Sequence, residues 1–256
     1  MPRRFRRGVY LLPTVFTVGN MFCGYFSLVL AGRGELERAG LMIVFAAVLD
    51  GLDGRIARLT KTTSAYGNEF DSLADLVSFG VAPAMLANHW ALSGLGRLGW
   101  LVSFLYVVCA AMRLARFNIQ AATADRRYFA GLPSPASAGS VGSLVFAFPG
   151  LVRERALVVA VALLVTTLGL LMISRFRYRS FKDLALRRRK SYLQVLPLAA
   201  LLVAVAFPPQ WTLLSFAAVY LASAPASYLW SAARRRLVAA RKRRSRSEVA
   251  DEPAFR

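Results

Sequence analysis

Apolar residues gather along this chain in long runs separated by short polar connections. A segment needs roughly 20 mainly apolar residues to cross a hydrocarbon core. On that measure the pattern predicts about eight spans, at 14–31, 38–59, 69–90, 99–118, 134–151, 155–173, 192–207 and 211–230. The runs show no strict two-residue alternation, so each is expected to be a helix; the only other structure that satisfies its backbone in lipid is a closed barrel. The expected fold is therefore all-α, a polytopic transmembrane bundle of about eight helices built from residues 1–232. A basic cytoplasmic tail, 233–256, follows, and its last stretch, SEVADEPAFR, has the composition of a disordered terminus.

Composition agrees with that pattern. The chain is 57% hydrophobic with a mean hydropathy of +0.48, more apolar than one soluble core of 256 residues requires. The N-terminus is basic and then apolar, like a signal peptide, but no small-residue cleavage site follows, and the run is expected to stay as the first span. No internal repeat or linker marks a second domain.

A net charge of +20 raises the question of nucleic acid, and the placement of the basic residues answers it. Arg3, Arg4, Arg6 and Arg7 precede the first span, Arg126 and Arg127 follow the fourth, Arg175 to Lys190 form a loop after the sixth, and Arg234 to Arg246 follow the eighth. The alternate connections are poor in Lys and Arg, as near Pro208 and Pro209. That is the positive-inside pattern of an even number of spans with both termini in the cytoplasm, in a cell inner membrane. Topology accounts for the charge without nucleic acid, and the basic clusters would also attract anionic membrane lipids.

Few residues suit transition-metal or thiol chemistry. Cys23 and Cys109 lie inside predicted spans and read as apolar packing residues. His89 is the single histidine, so no zinc site is available; beside Trp90 it reads as an interfacial anchor.

The polar residues that stand out are acids. The segment LDGLDGRIARLTKTTSAYGNEFDSLADLVSFG puts Asp50 and Asp53 late in the second span and Asp71 and Asp75 early in the third. Residues three or four apart share a helical face, so each pair projects together, and the short connection makes the two helices antiparallel neighbours. An ionised carboxylate at membrane depth costs about 2.5–3.5 kcal/mol on insertion scales, and four together repel one another. Cations must compensate. Arg55, Arg58 and Lys61 could do so as structural ion pairs, whereas a compact set of hard oxygen ligands suits Mg²⁺, Mn²⁺ or Ca²⁺. Gly51, Gly54 and Ala57 clear one side of the second helix for a ligand to approach, and Gly67 suits a turn into the third.

Taken together, Asp50-x2-Asp53-Gly54-x2-Ala57-Arg58-x8-Gly67-x3-Asp71-x3-Asp75 resembles the signature of the CDP-alcohol phosphatidyltransferase family at every signature position. Two further segments, LPTVFTVGNMFCG in the first span and RLARFNIQAATADRRYFAGLPSPASAG after the fourth, are similar to the bacterial branch that uses serine. The second has an ordinary structural reading too, since Gly131 and two prolines also make a turn and helix entrance.

The resemblance implies transfer of a phosphatidyl group from CDP-diacylglycerol to the hydroxyl of L-serine, with release of CMP. It implies that Asp50, Asp53, Asp71 and Asp75 hold two divalent cations, with Asp75 also the general base. Gly54, Ala57 and Arg58, with Asp50 and Asn20, would bind the CDP moiety; Asn20 could equally make an interhelical hydrogen bond. For the acceptor, Arg113 and Arg116 could supply a fork for the serine carboxylate, or could be snorkelling anchors, with Asn118, Arg126 and Ser134 as further candidates. A homodimer is implied by the family alone. Glycerol 3-phosphate or an inositol compound would be the rival acceptors, and an ion-coupled transporter or an anionic-lipid scaffold the rival readings outside this enzyme class.

Overall fold

The computed structural model describes residues 4–60, 65–121, 128–174, 177–179 and 208–221. The predicted span 192–207, the later part of the eighth span, Arg126 and the tail 233–256 lie outside the described residues, as do the side chains of Ala57 and Arg58.

The described chain is helical apart from one short ladder. Its elements are α1 (Arg4–Gly32), α2 (Leu36–Thr60), α3 (Ala65–Asp75), a π-helical segment (Leu76–Val81), α4 (Ala82–Trp90), a 3₁₀ turn (Leu92–Leu95), α5 (Arg97–Ala121), β1 (Tyr128–Ala130), α6 (Ser134–Ala147), α7 (Arg155–Ile173) and β2 (Arg177–Arg179). A further helix, α8, covers 209–221. Among the described residues, four stretches are long and apolar enough to cross a membrane: Thr14–Gly32, Tyr66–Trp90, Arg97–Ile119 and Arg155–Ile173. At 1.5 Å per residue the 19 residues of α7 rise about 28 Å, close to the hydrocarbon thickness. α2 has 25 residues, but Asp50, Asp53 and Arg55 interrupt its apolar run.

The outward faces carry what lipid requires. Val15, Phe22 and Tyr25 of α1, Phe104 of α5 and Leu163 of α7 are each about 60% exposed, a surface that water would not tolerate over such an area. The chain is an integral membrane protein, and its inward faces are small or branched residues such as Ala39, Ile43 and Ala46 on α2.

The fifth predicted span needs correction. It was expected to run to 151, but α6 stops at Ala147 after 14 residues. Phe148 precedes Pro149, and the proline ring disfavours α geometry at the residue before it, so the chain leaves the helix with Phe148 at φ −131° and ψ 70°. α6 has no exposed residue, with Ser134, Ser137, Ala138, Ser140, Val141, Gly142, Ser143, Val145 and Phe146 buried. Its small residues bring backbones together: a Cβ added at Gly142 would sit 2.8 Å from the Gly40 carbonyl oxygen and 3.2 Å from Ile43 Cβ.

The bundle has two chemically different ends. At one end, Trp90 is buried and its indole N–H donates to the carbonyls of Phe148 and Gly150, 2.9 Å from each, so it braces the α6–α7 connection while its neighbour His89 stays exposed. At the other end lie the second halves of α2, α5 and α7 and the first turns of α3 and α6. There Arg116 donates to the Ile173 carbonyl, and Leu132 N–H bonds the Leu171 carbonyl at 3.0 Å. Gly131, at φ +88°, makes that turn, and β1 pairs antiparallel with β2 beside it. Cys23 and Cys109 are free thiols, Cys109 buried, as packing residues should be.

Candidate functional site

The second end of the bundle is where the acids meet. Asp50 comes from α2, Asp71 and Asp75 from α3, and one carboxylate oxygen from each lies within 4.8 Å of the other two. Asp71 and Asp75 are one turn apart and share a face of α3, and α1, which packs against both α2 and α3, joins the two helices that carry the three acids.

Asp53 is placed differently. It is 6% exposed, one turn beyond Asp50, and its Oδ2 accepts a hydrogen bond from the hydroxyl of Thr17 on α1 rather than joining the three-oxygen group. A second α1 residue reaches the cluster three positions on. Asn20 is fully buried, and its amide N–H donates to Asp75 Oδ1 at 3.2 Å.

The π-helical segment that follows Asp75 supports that contact. Ser78, buried within it, donates its hydroxyl to the Asn20 backbone carbonyl at 2.9 Å. α1 can come this close because residue 24 is glycine; a Cβ there would lie 2.6 Å from Ser78 Cα. π-helical turns cluster at functional sites, where the extra residue re-aims side chains.

The oxygens ask for a positive partner. Among the described residues the only ion pair is Arg38–Glu35, at the far end of the bundle, and Arg55 is exposed. Asp71 Oδ1 and Asn20 Oδ1 are buried and have no hydrogen-bond partner among the described residues. Buried polar atoms are almost always satisfied, so these two mark where further groups belong. The ligand set fits a hard divalent cation: oxygens only, from three carboxylates within coordinating reach, with no thiolate or imidazole. Gly51 and Gly54 are exposed beside the carboxylates, and a Cβ at Gly51 would meet nothing within 4 Å, which leaves the approach open.

The acceptor candidates separate. Arg113 donates to Ser134 Oγ at 2.6 Å across α5 and α6, and its charge acts on both Asp50 and Asp75. Tyr220 of α8 and buried Tyr106 also lie within electrostatic range of Arg113, and Tyr106 is bonded to Ser137 at 2.9 Å. Arg116 points instead to the end of α7, and Asn118 donates to Ser72 and Glu69 at 3.0 and 3.4 Å, tying α5 to α3. Thr17, Gly24, Ser78 and Tyr220 had no part in the reading of the sequence as a site. The one available signal was the i, i+3 spacing of Thr17 and Asn20 inside the first-span segment.

A membrane-spanning helical bundle that gathers carboxylates at one end, with open backbone beside them and a half-buried arginine in electrostatic reach, defines an integral membrane protein whose acidic cluster could hold a metal ion. Residues 10–172 match the family described as CDP-alcohol phosphatidyltransferase. The chain belongs to the CDP-alcohol phosphatidyltransferase family, and is an enzyme of that class. It is similar to the CDP-diacylglycerol–serine O-phosphatidyltransferase of Helicobacter pylori strain 26695, 42% identical over 179 residues, covering 68% of this chain and 74% of that one. The Bacillus subtilis strain 168 protein of the same name is 34% identical over 182 residues, covering 70% of this chain and 96% of that one. The archaetidylserine synthase of Methanothermobacter thermautotrophicus is 35% identical over 169 residues, covering 65% and 69%.

Proposed function

We propose that this chain transfers the phosphatidyl group of CDP-diacylglycerol to the hydroxyl of L-serine, yielding phosphatidylserine and CMP. The observation that carries the chemistry is the convergence of Asp50, Asp71 and Asp75 from two successive helices, with open backbone at Gly51 beside them. Serine as acceptor is supported by the relatives, since all three names carry it.

Asp50, Asp53, Asp71 and Asp75 would hold two divalent cations, Mg²⁺ or Mn²⁺, with Ca²⁺ as a possible occupant by ligand chemistry. Bound cations would neutralise a pyrophosphate and stabilise charge on entering and leaving oxygens. The chain's own residues do the rest. Gly54, Ala57 and Arg58, together with Asp50 and Asn20, would bind the CDP moiety. Asp75, one of whose oxygens is held by Asn20, accepts the proton of the serine hydroxyl. The seryl oxygen then bonds to the lipid-side phosphorus as the phosphorus–oxygen bond to CMP breaks. Arg113, steadied by Ser134, presents its guanidinium to the serine carboxylate, a pairing for which its planar fork is suited. The carboxylate end of the bundle faces the cytoplasm in this reading, as the basic flanks require.

The test is acceptor choice. Purified protein given CDP-diacylglycerol should release CMP with L-serine and not with glycerol 3-phosphate or myo-inositol; release with either of those instead would overturn the acceptor. Chelation should stop turnover and Mg²⁺ or Mn²⁺ restore it. Asp75→Asn should lower CMP release by about 10²–10⁴-fold, the usual worth of a positioned general base. Near-normal turnover by that variant would reject the role.

A further inference from the structure

Two α1 side chains, one turn apart, each hold one carboxylate of the cluster. Thr17 donates to Asp53 Oδ2 and Asn20 to Asp75 Oδ1, while Asp50 and Asp71 receive no donor from α1 among the described hydrogen bonds. Thr17 is 4% exposed and Asp53 6%, so the contact is sealed from water and lipid alike. A hydroxyl can turn its proton to any acceptor, and an ionised carboxylate only accepts, so the direction of this bond is set by chemistry. With one lone pair of Oδ2 engaged by Thr17, the Asp53 carboxylate is held in one orientation.

We infer that Thr17 is a positioning residue, which orients the Asp53 carboxylate so that Asp53 serves the divalent cations as an outer ligand. This rests on the cation role proposed above for the four aspartates. Thr17 itself touches neither cation nor substrate; it acts through Asp53, as hydrogen-bond partners of metal-ligating carboxylates do. The position explains why a hydroxyl is found on the inward face of a helix whose lipid-facing neighbours, Val15 and Val18, are apolar and exposed. An unanchored Asp53 would sample several rotamers, and each cation bound would have to order it first.

Mn²⁺ binding, followed by electron paramagnetic resonance on the full chain in lipid nanodiscs, tests the idea without turnover. Thr17→Val keeps the shape and removes the hydroxyl; it should weaken Mn²⁺ binding by about 10-fold or more, the usual scale for such partners. Thr17→Ala, which loses the same group with less bulk, should do likewise if the valine variant does not fold. Thr17→Ser should restore binding to within about threefold of the parent, because it restores the donor. Mn²⁺ binding by both hydroxyl-free variants at parental strength, or tighter, would overturn the inference, even if their thermal midpoints fell. Asp71→Asn separates this from the reading beneath it. If the parent shows no Mn²⁺ binding that Asp71→Asn weakens, the cation site itself falls; if it does and Thr17→Val behaves as the parent, only the role of Thr17 falls.

Discussion

Gly24→Ala is the perturbation whose size the structure best defines. A methyl carbon there would stand 2.6 Å from Ser78 Cα and 2.8 Å from Ser78 Cβ, against about 3.5–4.0 Å for an unstrained carbon contact. α1 and the π-helical segment would therefore have to separate by about 1 Å. Over-packing of this kind costs about 1–3 kcal/mol, and the Ser78–Asn20 hydrogen bond lost with it about 1 kcal/mol. For a domain of this size each kcal/mol moves the thermal midpoint by about 2–4 °C, so the variant should melt several degrees below the parent. The same displacement carries Asn20 away from Asp75, and a 1 Å misplacement at a reacting group can cost on the order of 100-fold in rate. Thermal unfolding in detergent and CMP release per folded molecule measure the two effects separately. Ser78→Gly in the same chain removes the side chain under the new methyl and should recover part of both. A Gly24→Ala protein with parental midpoint and turnover would refute the claim that this close approach aligns the site.

Two further outcomes follow from single contacts. Arg113→Gln should raise the KM for serine by about 10–100-fold while changing the KM for CDP-diacylglycerol little, since a charge-assisted bond contributes about 1.5–3 kcal/mol; equal effects on both substrates would move Arg113 out of the acceptor site. Trp90→Phe leaves the carbonyls of Phe148 and Gly150 without their indole donor and should lower stability by about 1–3 kcal/mol without altering either KM, because that end of the bundle is remote from the carboxylates; a changed KM would show that the α6–α7 connection reaches the site.

Much of this protein was legible in the order of its residues. The length of the apolar runs required membrane helices, since lipid offers no other partner for the backbone. α7 matches its predicted span, 155–173, residue for residue; α1, α2 and α5 contain theirs, and the third span, 69–90, is divided among α3, the π-helical segment and α4. The shared face of Asp71 and Asp75 was visible because residues four apart on one helix project together, and Asp50, late in the preceding helix, joins them. The spacing of Asp50, Asp53, Gly54, Asp71 and Asp75 likewise carried the family resemblance that the matched residues 10–172 now establish.

What the order of residues could not settle is how the acids are divided and who holds them. Four equivalent aspartates became a group of three with Asp53 set apart on Thr17; Arg113 and Ser134 met while Arg116 and Asn118 were taken by neighbouring helices. Those partners stand 36 positions apart for Thr17 and Asp53, 55 for Asn20 and Asp75, and 58 for Ser78 and Asn20. Periodicity along one helix says which residues share a face, but not the axial offset between two helices, and a hydrogen bond is lost over less than one turn of that offset. The offset is set by close packing of small residues, Gly24 against Ser78 and Gly142 against Gly40, and so exists only once the bundle has closed.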